Sequence, residues 1–250
     1  MNNQKSSCIT SENNFNGLLI ASQTNTNSPK IVFSVPYSHS SMNQELPESH
    51  QCSEDSIPIA PNLKILPMRT RKTPKLTLVL DLDETLVHSE MILTSNPDYT
   101  FKLRVNQTDL TIYVSYRPGL INFLNSVCDL FEVVIFTASL KFYAEQVLKS
   151  LDLNQKLKYK FYRDLCTEHN GYYIKDLRIL GRDLSKVIII DNSEVAFSFQ
   201  PKNGILIKSW FNDQSDRELE SIQNFLLSIQ NHEDIRPLLH KNYCKLSSKN

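Results

Sequence analysis

Residues 75–88 read KLTLVLDLDETLVH, an apolar run that ends abruptly in Asp81, Asp83 and Glu84. Alternate residues of a strand point to the same side, so Asp81 and Asp83 form a pair. Two neighbouring carboxylates repel, and burial raises that cost. A hard divalent cation relieves it, and Mg²⁺ takes oxygen ligands of this kind while keeping some of its waters. A carboxylate fixed beside such an ion and aimed at a phosphate can attack phosphorus. Its neighbour, if protonated, can protonate the leaving oxygen. On this reading Asp81 is the nucleophile, and Asp83 is general acid and then base for the hydrolytic water.

The charge of a phosphate must also be met. Lys175, in YYIKDL, is the candidate cation. Thr137 offers a hydroxyl and, with its neighbours, backbone N–H donors at a strand-to-helix turn. These residues are far apart in sequence, so the fold must gather them. LTLVLDLD, FEVVIFTAS (131–139) and KVIIIDNS (186–193) are continuous apolar runs, the pattern of strands buried on both faces. They end in Asp81/Asp83, Thr137/Ser139 and Asp191/Asn192, and open α/β sheets bind ligands beyond the carboxyl ends of their strands. GILIKSW (204–210) reads as a fourth buried strand. GLINFLNSVCDL, KFYAEQVLKSL (141–151) and DRELESIQNFLLSI (216–229) have helical spacing. YTFKLRV (99–105) and LTIYVSY (110–116) alternate with period two across NQTD, predicting a hairpin beside the main sheet. Strands alternating with helices predict an α/β fold with a central, mostly parallel sheet.

The chain has 250 residues, with 27 basic and 27 acidic side chains balancing to zero net charge. That balance gives no global attraction to nucleic acid or membrane, and no apolar run approaches the ~20 residues that span a bilayer. The N-terminus is polar and lacks the apolar core of a secretory signal. Five scattered cysteines with no CxxC pair argue against a zinc site or a disulfide framework. Residues 1–70 are rich in Ser, Asn, Gln, Thr and Pro without sustained periodicity, predicting a disordered polar tail. Its one apolar cluster, IVFSVPY (31–37), could dock a partner. KILPMRTRKTPK (64–75) reads equally as a nuclear import signal or a solvated linker. The folded domain is expected over 71–245. Cys166 lacks the CxxxxxR loop of cysteine-dependent phosphatases, because residue 172 is Tyr. His88 is expected to have a structural hydrogen-bonding role.

DLDETLVH resembles the DxDx(T/V) motif of haloacid-dehalogenase-superfamily phosphatases. FTAS resembles their second motif, IKDL the basic third and IIIDNS the acidic fourth. With GRDLSK and SWF, the stretch from about 74 to 243 is similar to the small C-terminal-domain phosphatases, nearest their small phosphatase-like 2 subgroup. The resemblance implies a superfamily Rossmann-like domain with a small β-hairpin insert over the active site. It implies Asp81 as the phosphorylated nucleophile and Asp83 as acid/base, with the Asp83 carbonyl on Mg²⁺. Thr137 and Lys175 would bind the phosphoryl group. Asp191 and Asn192 would complete the metal site, one ligating directly and the other holding a water or Lys175. Ser139, Leu140, Tyr143 and Arg163 would bind substrate; Leu140 and Tyr143 match a slot for a substrate proline. Two departures bear on specificity: Glu194 stands where relatives have proline, and Met91 where they often have an aromatic.

The resemblance implies a Mg²⁺-dependent protein serine/threonine phosphatase acting through an aspartyl-phosphate. Its implied substrate is the C-terminal repeat domain of RNA polymerase II, its compartment the nucleus with the cytoplasm as a further location, and its state a monomer. The alternatives are a phosphatase of another phosphoprotein and a catalytically silent binding module.

Overall fold

The structure is a computed structural model. It describes residues 63–93, 96–105, 108–151 and 155–239, and the backbone of three short strands nearer the N-terminus. Those strands, Asn14–Phe15 (β1), Leu18–Ala21 (β2) and Lys30–Val32 (β3), form an antiparallel sheet of their own. The third takes in part of the IVFSVPY cluster. The remainder of the expected tail up to residue 62, and residues 240–245 of the expected domain, lie outside the described residues.

A five-stranded parallel sheet organises the domain. Its strands are Thr77–Leu80 (β4), Glu132–Phe136 (β8), Tyr159–Phe161 (β9), Val187–Asp191 (β12) and Gly204–Leu206 (β13). The order is β13-β12-β4-β8-β9. From β4 the chain runs out to β8 and β9, then returns to β12 and β13 on the other side. That reversal opens a crevice at the carboxyl end of β4, where such sheets bind ligands. Register continues past the strand: the Asp81 amide donates to the Ile190 carbonyl at 3.0 Å. The Asp81 and Asp191 ends therefore lie side by side.

The central strands are buried throughout, and alternate residues feed opposite cores. Leu78, Leu80, Val133, Ile135, Ile188 and Ile190 join one cluster with the helices Leu120–Leu130 (α1), Lys141–Ser150 (α2) and Glu218–Ile229 (α3). Val79, Val134, Phe136, Val187 and Ile189 join the other. All three helices thus contribute to one core. The opposite core is closed by short 3₁₀ turns bearing Leu177, Ile179, Leu180 and Phe197, and by Leu66.

Between β4 and α1 lies a second sheet of Val87–Glu90 (β5), Tyr99–Val105 (β6) and Thr108–Tyr116 (β7), in the order β5-β7-β6. The expected hairpin is present, and β5 adds a third strand. VHSE is too short and polar to announce itself, and pairing with β7 makes it a strand. A further hairpin, Thr167–His169 (β10) and Tyr172–Ile174 (β11), turns at Asn170–Gly171 with φ of 51° and 78°. That Asn-Gly pair is a strong hairpin signal the sequence reading passed over. The expected strand at 204–210 is paired only over 204–206.

The fold begins earlier than residue 71. The Ile65 amide donates to the Ile179 carbonyl at 2.9 Å, and Leu66 is 5% exposed. Arg69 reaches Thr77 Oγ1 at 2.7 Å and Glu132 at 3.4 Å. The basic stretch is therefore in part a strap across the sheet's amino edge. Its mixed composition concealed the two or three residues that pack.

Candidate active site

Asp81 sits one residue beyond β4 and is almost fully buried. Lys175 lies just past β11 and is 2% exposed. Its ammonium donates to Asp81 Oδ1 at 2.5 Å and to Asp191 Oδ2 at 2.6 Å. Burial lowers an ammonium pKa, yet here Asp191 and Asp81 outweigh it and raise Lys175 above its ordinary value. The other Asp191 oxygen accepts from the Ser193 amide at 2.8 Å. Asp191 thus anchors Lys175, and Lys175 holds one oxygen of Asp81.

Asp83 occupies a tight turn. Glu84 beside it has φ 57°, the left-handed region, which a non-glycine residue adopts at a cost. The turn is fixed from both sides: the Glu84 amide donates to Val87 O at 2.8 Å, and Trp210 N donates to Glu84 O at 2.8 Å. Ser139 Oγ donates to Asp83 Oδ2 at 2.6 Å, with Thr137 Oγ1 at 3.5 Å. Tyr143 OH donates to Asp83 Oδ1 at 2.6 Å. Burial, then the Glu84 charge, push the Asp83 carboxyl up to about 7 against the pull of the Ser139 and Tyr143 donors. Such a carboxyl can carry a proton near neutrality.

Asn192, next to Asp191, has partners of its own. Its Oδ1 accepts from Thr85 Oγ1 at 3.3 Å and its Nδ2 donates to Ser209 Oγ at 3.0 Å. Arg117, fully buried, forms a two-pronged ion pair with Asp216 at 2.8 Å and supports the Thr85 carbonyl at 3.1 Å. Thr85, Arg117 and Ser209 were missed by the sequence reading. A lone arginine between Tyr116 and Pro118, in an otherwise apolar context, was the available signal.

Among the described residues, no group of three or more His, Cys, Asp or Glu side chains is placed to hold a metal. A cation here would need amide, backbone carbonyl and water oxygens as well as carboxylate. The strand ends offer such hard donors in Asp81, the Asp83 carbonyl and Asn192, which suits Mg²⁺.

The remaining expected residues are placed unevenly. Thr137 and Ser139 lie at the site, but the Thr137 amide is committed to Phe161 O and the Ser139 amide to Thr137 Oγ1. Those two N–H groups are thus spoken for by the fold. Arg163 is beside the site, its Nε donating to Ala138 O at 2.5 Å and its guanidinium 5.0 Å from the Tyr173 ring centre. Leu140 is half-buried at the start of α2. Tyr143 has no exposed surface and presents its hydroxyl to Asp83. Glu194 is itself exposed and opens a 3₁₀ turn that forms without proline. Met91 packs half-buried on the core. His88 stands between two carboxylates, its Nδ1 3.4 Å from Glu84 Oε1 and its Nε2 3.7 Å from Glu90 Oε1, and its ring meets Phe211 edge-on at 5.2 Å. Burial pushes the Cys166 thiol up to about 12, the opposite of an activated nucleophile.

Residues 76–236 match the family described as NLI interacting factor-like phosphatase. The chain is 49% identical over 172 residues to "CTD small phosphatase-like protein 2" of Dictyostelium discoideum, covering 69% of this chain and 30% of that protein. It is 37% identical over 173 residues to the human "Carboxy-terminal domain RNA polymerase II polypeptide A small phosphatase 1", covering 69% of this chain and 66% of that protein. The chain thus spans less than a third of the first relative's length. A solved structure titled "The Structure of Fcp1, an essential RNA polymerase II CTD phosphatase" aligns with TM-score 0.48 and 26% identity over 70% of this chain and 55% of that one. The four motifs quoted from the sequence fall within the matched span, and on that match the chain belongs to the NLI interacting factor-like phosphatase family.

Proposed function

We propose that this chain is a Mg²⁺-dependent protein serine/threonine phosphatase working through an aspartyl-phosphate. One observation carries the reading: two adjacent strand-end carboxylates are held for different tasks. Lys175 pins Asp81 by one oxygen, and hydroxyl donors grip Asp83, which can hold a proton. In the first half-reaction an Asp81 oxygen bonds to phosphorus. The bond from phosphorus to the leaving oxygen breaks, and the Asp83 proton passes to that oxygen. In the second, a water oxygen bonds to phosphorus and gives a proton to Asp83. The bond to Asp81 then breaks and phosphate departs. Asp81, the Asp83 carbonyl and Asn192 would hold Mg²⁺, which when bound offsets the negative charge brought together by carboxylate and phosphate. Asp191 would serve as the Lys175 anchor, and Lys175, Thr137 and Arg163 would meet the phosphoryl charge.

The proposed substrate is the repeat tail of RNA polymerase II, by analogy with the relative so named, and the proposed compartment is the nucleus. Phosphopeptides of that repeat and unrelated phosphoserine peptides should be compared for kcat/KM with wild type and Asp81→Asn. The wild type should favour the repeat peptide, and Asp81→Asn should fall below ~1% on every substrate, since an amide cannot serve as nucleophile. Residual turnover in Asp81→Asn would remove the aspartyl-phosphate route. Equal turnover of all peptides would leave a phosphatase of another phosphoprotein.

A further inference from the structure

We propose that Tyr143 and Ser89 form a two-hydroxyl brace that fixes the Asp83 carboxyl group in the orientation from which, when protonated, it passes its proton to the leaving group. The proposal rests on the reading of Asp83 as acid/base, and it gives the antiparallel insert a role in catalysis.

Both oxygens of the Asp83 carboxyl group are held. Tyr143 OH lies 2.6 Å from Asp83 Oδ1 and 2.7 Å from Ser89 Oγ. A phenol has one proton. With Tyr143 donating to the carboxylate, the second bond runs from the Ser89 hydroxyl to the Tyr143 oxygen. Ser139 takes the other carboxylate oxygen at 2.6 Å. Each Asp83 oxygen therefore has a donor, and the plane of the carboxylate is set by two elements at once.

Each brace residue is itself held. Tyr143 stands in the first turn of α2 with no exposed surface, and the Phe101 ring from β6 lies 6.2 Å away at 43°. Ser89 is a buried position of β5, in register with Val114 of β7. A tyrosine serving only to fill space needs no such partner, because phenylalanine fills the same volume. Here the hydroxyl is directed at the one carboxylate that must transfer a proton.

A carboxylate misplaced by a fraction of an ångström transfers its proton less well. The loss should be greatest where the leaving group most needs protonation. The test uses aryl phosphates from p-nitrophenyl to phenyl phosphate, which share size and differ in leaving-group basicity. The kcat/KM of each is measured for wild type, Tyr143→Phe, Ser89→Ala, the double variant and Asp83→Asn. Tyr143→Phe should lose about tenfold more on phenyl than on p-nitrophenyl phosphate, a fraction of the ~10²–10⁴ available to acid catalysis. Ser89→Ala, which leaves ring and helix untouched, should show the same trend more weakly. The double variant should be no worse than Tyr143→Phe alone. Ser89→Thr, which restores a hydroxyl, should recover the wild-type dependence. Equal losses along the series, or losses seen only with proline-containing peptides, would overturn the brace while leaving Asp83 as acid. Equal losses on all the leaving groups in Asp83→Asn itself would overturn the acid assignment and the brace with it.

Discussion

Lys175 places a full charge in the protein interior, which is tolerable only because two carboxylates face it. The three groups form a chain, Asp191 to Lys175 to Asp81, in which each fixes the next. That arrangement leaves Asp81 Oδ2 as the oxygen without a bond to Lys175, the one that would attack in the proposed mechanism. It also separates the neighbours Asp191 and Asn192, one turned to the lysine and the other to Thr85 and Ser209. The magnesium reading gives a direct expectation. Chelation with EDTA should abolish p-nitrophenyl phosphate hydrolysis, Mg²⁺ should restore it, and Ca²⁺ should restore it poorly. Calcium prefers more ligands and longer bonds, which would displace the attacking oxygen. Full activity in excess chelator would exclude the metal.

At the scale of the element, the sheet has a reactive carboxyl edge and a clamped amino edge. Glu132, at the start of β8, is buried against Arg182, whose guanidinium approaches at 2.7 and 2.8 Å. Thr77 of β4 adds a bond at 2.8 Å, and Arg69 reaches in from the strap. Burial raises a carboxyl pKa, but the bonds from Arg182 and Thr77 outweigh it and hold Glu132 below its ordinary value. A depressed carboxylate contributes stability above its unfolded pKa and loses it as pH falls through the folded value. This contribution should therefore begin to fall on acidification through about pH 4.5, the ordinary glutamate value, and be gone only below the depressed folded value. Glu132→Gln leaves Arg182 buried without a counter-charge. Denaturant unfolding at pH 7 should show a loss of about 3 kcal/mol, shrinking as pH falls below 4. Aryl phosphate turnover at low temperature should persist, because the clamp lies at the opposite end of the strands from Asp81. A loss that stayed constant with pH would show that packing, not charge, is at work.

For the whole molecule, the proposed start of the folding unit is the strap that carries Leu66 and Arg69. A chain beginning at residue 63 keeps Leu66 in its core and Arg69 on Glu132. One beginning at residue 71 loses both. The first truncation should match the full-length protein in kcat on p-nitrophenyl phosphate and in thermal midpoint. The second should unfold several degrees lower, since removing one buried leucine alone costs roughly 2–5 kcal/mol. Equal midpoints for the two would show that the strap is dispensable. A collapse of the first would assign the tail to the fold.

The sequence alone brought forward the polar positions that the fold gathers at one crevice, and the strands that carry them. Asp81, Asp83, Thr137, Lys175 and Asp191 were legible because strands buried on both faces read as unbroken apolar runs, and polar residues at their ends stand out. The three helices were legible from their periodicity. Short strands such as β5 and β9 were not, because a few residues carry too little pattern and their conformation comes from partners distant in sequence. The same reason hid Leu66 and Arg69 within a basic stretch. Only tertiary structure decided that Asp191 holds Lys175 while Asn192 turns to Thr85, because adjacent residues at a strand end diverge. It alone decided Tyr143 as well. Helical spacing placed that side chain near the crevice, but its bonds to Asp83 and Ser89 and its contact with Phe101 depend on β5 and β6 packing against it.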